Sequence, residues 1–165
     1  MASRDAHCSF CGAAYAPDQP WPRVCAACGE TTYRNPVPVA VAVLPVDDGV
    51  LVIRRAIPPR VGLLALPGGF VDHGESWQRA VTRELFEETG IVVADSDVSL
   101  FDVHSAPDGT VLIFGLLPAT TAAALPASTP NAEVAGWQVT RDTTDLAFDL
   151  HARVLTRYLS DRISA

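Results

Sequence analysis

All four cysteines of the chain fall within its first 28 residues, as Cys8-x2-Cys11 and Cys25-x2-Cys28, and each pair is followed directly by a glycine. No other feature restricts its stretch of the fold so tightly. A segment of about 30 residues cannot bury enough surface to hold itself together, so much of its folding energy has to come from a metal or from covalent cross-links. Two such turns each present two thiolates, which suits a tetrahedral zinc ion, and Gly12 and Gly29 let the backbone wrap closely around the sulfur atoms. Two disulfides are the alternative. The start, MASRDAHCSF, has no charged segment leading into an apolar one, so export is not expected, and a reducing cytoplasm favours zinc. The expectation is a structural zinc ribbon over residues 1–33, with Cys8, Cys11, Cys25 and Cys28 as ligands and His7 as a bystander. The proline-rich AAYAPDQPWPR between the pairs reads as loop plus a short strand.

Asn35-Pro36 and Pro38 mark a junction, and residues 34–165 form the expected second domain. VAVAVLPV and LVIRR, separated by Asp47-Asp48-Gly49, read as a hairpin. Gly68-Gly69 reads as a backbone turn, Ser76 to Thr89 as a helix stopped by Gly90, and Val98 to His104 with Thr110 to Leu116 as strands joined through Pro107-Asp108-Gly109. LPATTAAALPASTP reads as surface loop, Val134 to Val139 as a strand, and Leu150 to Leu159 as a closing helix. Strands mixed with helices in this order predict an α/β fold, layered α/β/α. The chain is 48% hydrophobic and has no apolar run long enough to span a membrane. Its net charge of −7 argues against general attraction to nucleic acid or anionic lipid. Arg4, Arg23 and Arg34 are the few basic residues in and beside the cysteine module.

Within the central helix, RELFEETG crowds Glu84, Glu87 and Glu88 at positions i, i+3 and i+4, on one arc of the cylinder. Like charges at that spacing cost about 0.2–0.5 kcal/mol per pair. A solvated acidic face is the plain explanation. The sharper one is a divalent cation that offsets the repulsion, since Val81 and Leu85 flank the arc and should turn the carboxylates toward the protein body.

Reading outward, the chain runs Gly69, five residues, Glu75, seven residues, Arg83-Glu84-Leu85, one residue, Glu87-Glu88, one residue, Gly90-Ile91. This resembles the Nudix hydrolases, whose 23-residue signature is filled at every specified position. The resemblance implies an α/β/α sandwich that cleaves pyrophosphate bonds of nucleoside diphosphates linked to another moiety, using Mg²⁺ or Mn²⁺. It implies Glu84, Glu87, Glu88 and the carbonyl of Gly69 as metal ligands, with Arg83 and Glu75 supporting the site. Such hard oxygen donors suit Mg²⁺, which binds through a few carboxylates while keeping several waters. Glu84 is the expected general base. Glu133, in NAEVAGW, is a second candidate as base or outer ligand, set against an ordinary exposed loop glutamate. Phe70 and Trp77 are expected as core or wall, and His73, His104 and His151 as structural or exposed.

A zinc ribbon ahead of a Nudix domain is similar to the NADH pyrophosphatase architecture. That group carries a Ser-Gln-Pro-Trp segment downstream of the box, which is missing after Ile91; Gln19-Pro20-Trp21-Pro22 lies inside the cysteine module instead. A proline sixteen residues past the box, a marker associated with ADP-ribose pyrophosphatases, falls at Pro107. The resulting expectation is a small nucleotide substrate, ADP-ribose or a related nucleotide sugar. NADH or an NAD-capped RNA end is the alternative, and a non-catalytic nucleotide-sensing or nucleic-acid-binding module is the alternative of another class. Dimerisation is common in the family, and the cysteine module is expected to pack on the catalytic domain or on a second subunit.

Overall fold

The computed structural model describes residues 5–163; Arg4 therefore lies outside the described residues. The chain divides into two compact units, Met1–Pro36 and Val37–Ala165.

In the first unit, two short antiparallel strands, β1 (Arg23–Val24) and β2 (Thr31–Thr32), flank the second cysteine turn. Both turns close alike. Gly12 N–H donates to the Cys8 carbonyl and Gly29 N–H to the Cys25 carbonyl, with the glycines at φ +75° and +76°, a conformation that a Cβ would disfavour. Tyr15 is buried against Cys8 and Cys25, and its hydroxyl donates to Thr32 Oγ1 at 2.6 Å.

The second unit is built on β3 (Val37–Val43), whose VAVAV run is buried on both faces. Ala40 and Ala42 point into a cluster with Ala80, Val81 and Leu85 of α1 (Trp77–Thr89), whereas Val41 and Val43 point into one with Val154 and Leu155 of α2 (Asp149–Ile163). A strand covered by a helix on each side has no polar face, which is why the sequence does not alternate there. Each fully buried Val or Leu stabilises the packing by roughly 1.5–3 kcal/mol. The layered α/β/α expectation holds.

The strands form two four-stranded sheets. In one, β7 (Gly68–Phe70), β3, β9 (Thr110–Leu116) and β8 (Ser99–Ser105) lie in that order, with β3 and β9 parallel and the other pairs antiparallel. In the other, β5 (Gly49–Arg55) pairs with β10 (Val134–Thr140) along one edge and with β4 (Pro45–Val46) and β6 (Leu64–Ala65) along the other. The expected hairpin of VAVAVLPV with LVIRR is thus corrected. The first run breaks at Leu44, so that β3 joins one sheet and only Pro45–Val46 pairs with β5. Gly68-Gly69 is likewise no turn but an edge strand on β3, where a Cβ on Gly68 would sit 2.4 Å from the Ala40 carbonyl oxygen.

Helix α1 starts and stops where its sequence says. Ser76 Oγ accepts from Arg79 N–H at 3.2 Å, and Gly90 takes the left-handed conformation with its N–H on the Phe86 carbonyl. Helix α2 begins one residue before the expected span and extends past its end. The 117–130 stretch is irregular apart from a 3-10 turn at Ala122–Ala124. Among the described residues, no helix is long and apolar enough to cross a membrane.

Candidate functional site

The apolar stripe Ala80, Val81, Leu85 seats α1 on β3, and this fixes where its acidic residues point. Glu88 is 8% exposed, and its Oε2 accepts from Gly68 N–H at 2.9 Å. The Glu84 side chain is 14% exposed and lies over Gly69, where a Cβ would come within 2.4–2.6 Å of its carboxylate. The second glycine of the pair is therefore required by Glu84 itself. Glu87 diverges from them, with its side chain 56% exposed. The three carboxylates share an arc, as spacing requires, yet two of them are drawn against β7 while the third faces solvent.

Arg83 holds this arrangement. Its Nε and Nη2 bind Glu75 Oε1 and Oε2 at 2.9 and 3.0 Å, a two-point grip, while Nη1 donates to Glu84 Oε1 at 2.7 Å and Nη2 also reaches the Phe70 carbonyl at 2.9 Å. Arg83 reaches Glu87 only at 3.5 Å, so it orients Glu84 more than Glu87. Asp72 N–H donates to Glu75 Oε2 and ties that carboxylate to the loop before the helix.

Titration behaviour follows from these contacts. The Arg83 hydrogen bonds hold Glu75 below the usual carboxylate range. Burial raises Glu84, against the pull of Arg83, with the charges of Glu87 and Glu133 adding to the rise. Burial pushes Glu88 up to about 8 in spite of the Gly68 N–H, again with help from Glu84 and Glu133. The influence of Glu133 on both carboxylates brings this exposed loop residue into the same field.

The link from the Glu133 loop to the helix is Asn131, which the sequence reading did not single out. Its Nδ2 donates to the Glu87 carbonyl at 2.9 Å, and its Oδ1 accepts from the N–H groups of Glu133 and Val134. An Asn two residues before a candidate glutamate, at the entry to a strand, is the signal that could have found it, since this side chain commonly caps its own loop.

Beside the carboxylates lies a cavity of about 400 Å³, within the range typical of small-ligand sites. Gly68, Gly69 and Phe70, Pro107 with Asp108, and Phe148 with His151 are among the residues that line it. Phe70, 60% exposed, is wall and not core, whereas Trp77 packs partly buried on the α1 cluster. His151 is buried, with Nδ1 accepting from Leu66 N–H at 3.1 Å, and burial brings it down to about 3.

In the first unit the four cysteine sulfurs lie within 4.8 Å of one another, with Cys8–Cys28 at 3.8 Å and Cys11–Cys25 at 3.6 Å. These are free thiols. Their spacing matches the edge of roughly 3.8 Å for a tetrahedron with Zn–S of about 2.3 Å, so the set fits zinc. The Cys11 N–H, with other donors, lowers Cys8 to about 6. The Glu30 N–H favours the Cys28 thiolate, but burial and the neighbouring sulfurs push it up to about 12. A metal cation would relieve that crowding of thiolates.

An ADP-ribose pyrophosphatase of Methanocaldococcus jannaschii is 41% identical over 76 residues, 46% of this chain and 44% of the relative. The NAD-capped RNA hydrolase NudC of Edwardsiella ictaluri is 34% identical over 87 residues, 52% of this chain and 34% of the relative. The matches thus span less than half the length of either relative. Among solved structures, a NUDIX hydrolase from Nitrosomonas europaea superposes with a TM-score of 0.78 at 25% identity, covering 97% of this chain and 93% of its own. Residues 36–158, most of the chain and including the whole glutamate helix, match the family model of the NUDIX domain, and the chain belongs to that family.

Proposed function

We propose that this chain is a metal-dependent hydrolase that cleaves the pyrophosphate bond of a nucleoside diphosphate linked to another moiety, ADP-ribose or a related nucleotide sugar. One observation carries the reading. The two glycines that receive Glu88 and Glu84 also line the 400 Å³ cavity, so the carboxylate set and a nucleotide-sized space share a wall.

The donors suit a hard divalent cation. Glu88 gives one oxygen to Gly68 N–H and is held where ionisation is costly without a compensating positive charge. Glu84, Glu87, Glu88 and the Gly69 carbonyl would hold Mg²⁺ or Mn²⁺, with Glu133 as an outer ligand. When bound, the ion neutralises diphosphate charge and polarises the phosphoryl oxygens. The remaining work belongs to the chain. Glu75 fixes Arg83, Arg83 fixes Oε1 of Glu84, and Glu84, its pKa raised by burial, takes the proton of the attacking water as general base. Glu133, tied to α1 through Asn131, is the second candidate for that role. Residues 1–33 are read as a zinc ribbon held by Cys8, Cys11, Cys25 and Cys28, and residues 34–165 as the hydrolase domain.

Two observations support ADP-ribose: Pro107 lines the cavity, and the archaeal relative bears that activity in its name. The NudC relatives and the cysteine module favour NADH or an NAD-capped RNA end as the second reading. Mass spectrometry of products decides between them, after incubation of the purified protein with Mg²⁺ or Mn²⁺ and, separately, ADP-ribose, NADH and a nucleoside triphosphate. AMP with ribose 5-phosphate formed fastest supports the first reading. AMP with reduced nicotinamide mononucleotide formed fastest supports the second, and no turnover of any of them returns the chain to a sensing role.

A further inference from the structure

Much of the cavity lining is apolar, and beside its charged and hydroxyl-bearing members Arg55, Arg60, Asp108, Thr110 and Asp149 it holds one imidazole. Val39, Val41, Ile53, Ala65 and Leu112 line the cavity, and Phe148 tilts against His151 with ring centroids 5.1 Å apart. That imidazole is His151, set among these apolar side chains. Its Nδ1 accepts from Leu66 N–H, so the proton of the neutral ring sits on Nε2, and that N–H is the ring's single remaining polar atom. Phe114 packs edge-on against the same ring at 5.8 Å and limits its rotation. A hydrogen-bond donor of fixed tautomer held between two aromatic rings discriminates for an acceptor and against a donor, because an unmatched polar group there loses its water without replacement.

We propose that His151 reads the nucleobase of the substrate, its Nε2–H donating to a ring nitrogen or carbonyl oxygen of the base bound in the cavity. This rests on the reading of the cavity as a nucleotide site. The link between β6 and β7 makes the geometry coherent: Leu66 N–H is pinned by His151 of α2, and Gly68 N–H by Glu88 of α1. One short segment thus holds a base-reading donor at one end and the carboxylates at the other. His151 is a specificity residue in this account and takes no part in the bond cleavage.

The same pinning offers a purely structural account, in which His151 only anchors Leu66. The two separate cleanly. In the full-length protein, His151→Asn can keep an acceptor near Nδ1 for the Leu66 N–H but has no counterpart of Nε2–H. The inference expects KM for ADP-ribose and the calorimetric Kd for AMP to rise about tenfold, the worth of one neutral hydrogen bond, with kcat nearly unchanged and affinity for ribose 5-phosphate untouched. Wild-type values of KM and Kd in this variant, or an equal loss toward ribose 5-phosphate, overturn it. Should the variant not fold, ADP-ribose analogues with single base acceptors replaced by C–H serve with the wild-type protein: one should raise KM about tenfold, and none doing so overturns the inference. AMP binding without hydrolysis defeats the proposed function alone, leaving the AMP titration to decide on His151. A wild-type protein that binds no AMP overturns this inference as well.

Discussion

Glu88 is pulled two ways. Its Oε2 holds the Gly68 N–H in place, and its burial penalises the charge that a cation site needs. Glu88→Gln keeps an oxygen for that N–H and removes the charge, so far-ultraviolet circular dichroism and Tm should hold while kcat falls at least a hundredfold. Undiminished turnover would remove Glu88 from the metal set. His151 gives a different signature. Its pKa lies near 3 in the fold because burial disfavours the imidazolium, against about 6.5 in an unfolded chain. Above pH 6.5 neither state is protonated and the residue contributes no pH dependence. As pH falls below that, the unfolded chain takes up a proton that the fold refuses, so stability is lost progressively toward pH 3. Denaturant titrations at pH 7, 6 and 5 should show wild-type stability declining more steeply than that of His151→Asn; parallel declines would mean that the imidazole is accessible and protonates in the fold.

At the scale of elements, the helix α1 and the loop at Asn131 behave as one device. Three hydrogen bonds from a single side chain join the end of the helix to the start of β10 and hold Glu133 in the field of Glu84 and Glu88. Asn131→Ala should cost about 1–2 kcal/mol of stability by denaturant titration and lower kcat severalfold with KM little changed. Unchanged kcat would argue that the Glu133 loop has no share in turnover. The helix itself was legible because its information is local: Ser76 and Gly90 mark its ends, and the 3.6-residue period places Val81 and Leu85 inward. Gly68-Gly69 and the break at Leu44 were not, since both are set by partners distant in sequence. Gly68 is flat and extended because β3 lies beside it, and a strand that ends at one residue and resumes in another sheet reads as a single apolar run. Asn131 was missed because a capping side chain and an ordinary loop asparagine look the same in one dimension.

At the scale of the molecule, the two units are stabilised by different means. Unit two has apolar clusters on both sides of β3, while unit one has Tyr15 and four sulfurs. Cys25→Ser should therefore make the first 36 residues a substrate for limited proteolysis and leave 37–165 intact with near wild-type kcat, as read by mass spectrometry of the fragments. Cuts throughout the chain would show that the second unit depends on the first. The spacing of the cysteines made their convergence readable ahead of any structure, because two pairs of this separation, each closed by a glycine, can bring four sulfurs together. The order of strands in the sheet built on β3 has no such local marker, and it bears on how the chain is made. Strand β3 has α1 and β7 as early neighbours, but its parallel partner β9 is synthesised long after it. Until Leu116 has left the ribosome, the VAVAV run lacks one of its two flanking strands, leaving backbone groups open to self-association, and Val41 and Val43 wait longer still for Val154 and Leu155 of α2. The emerging protein thus has its glutamate helix complete while the strand beneath that helix still lacks a neighbour in its sheet.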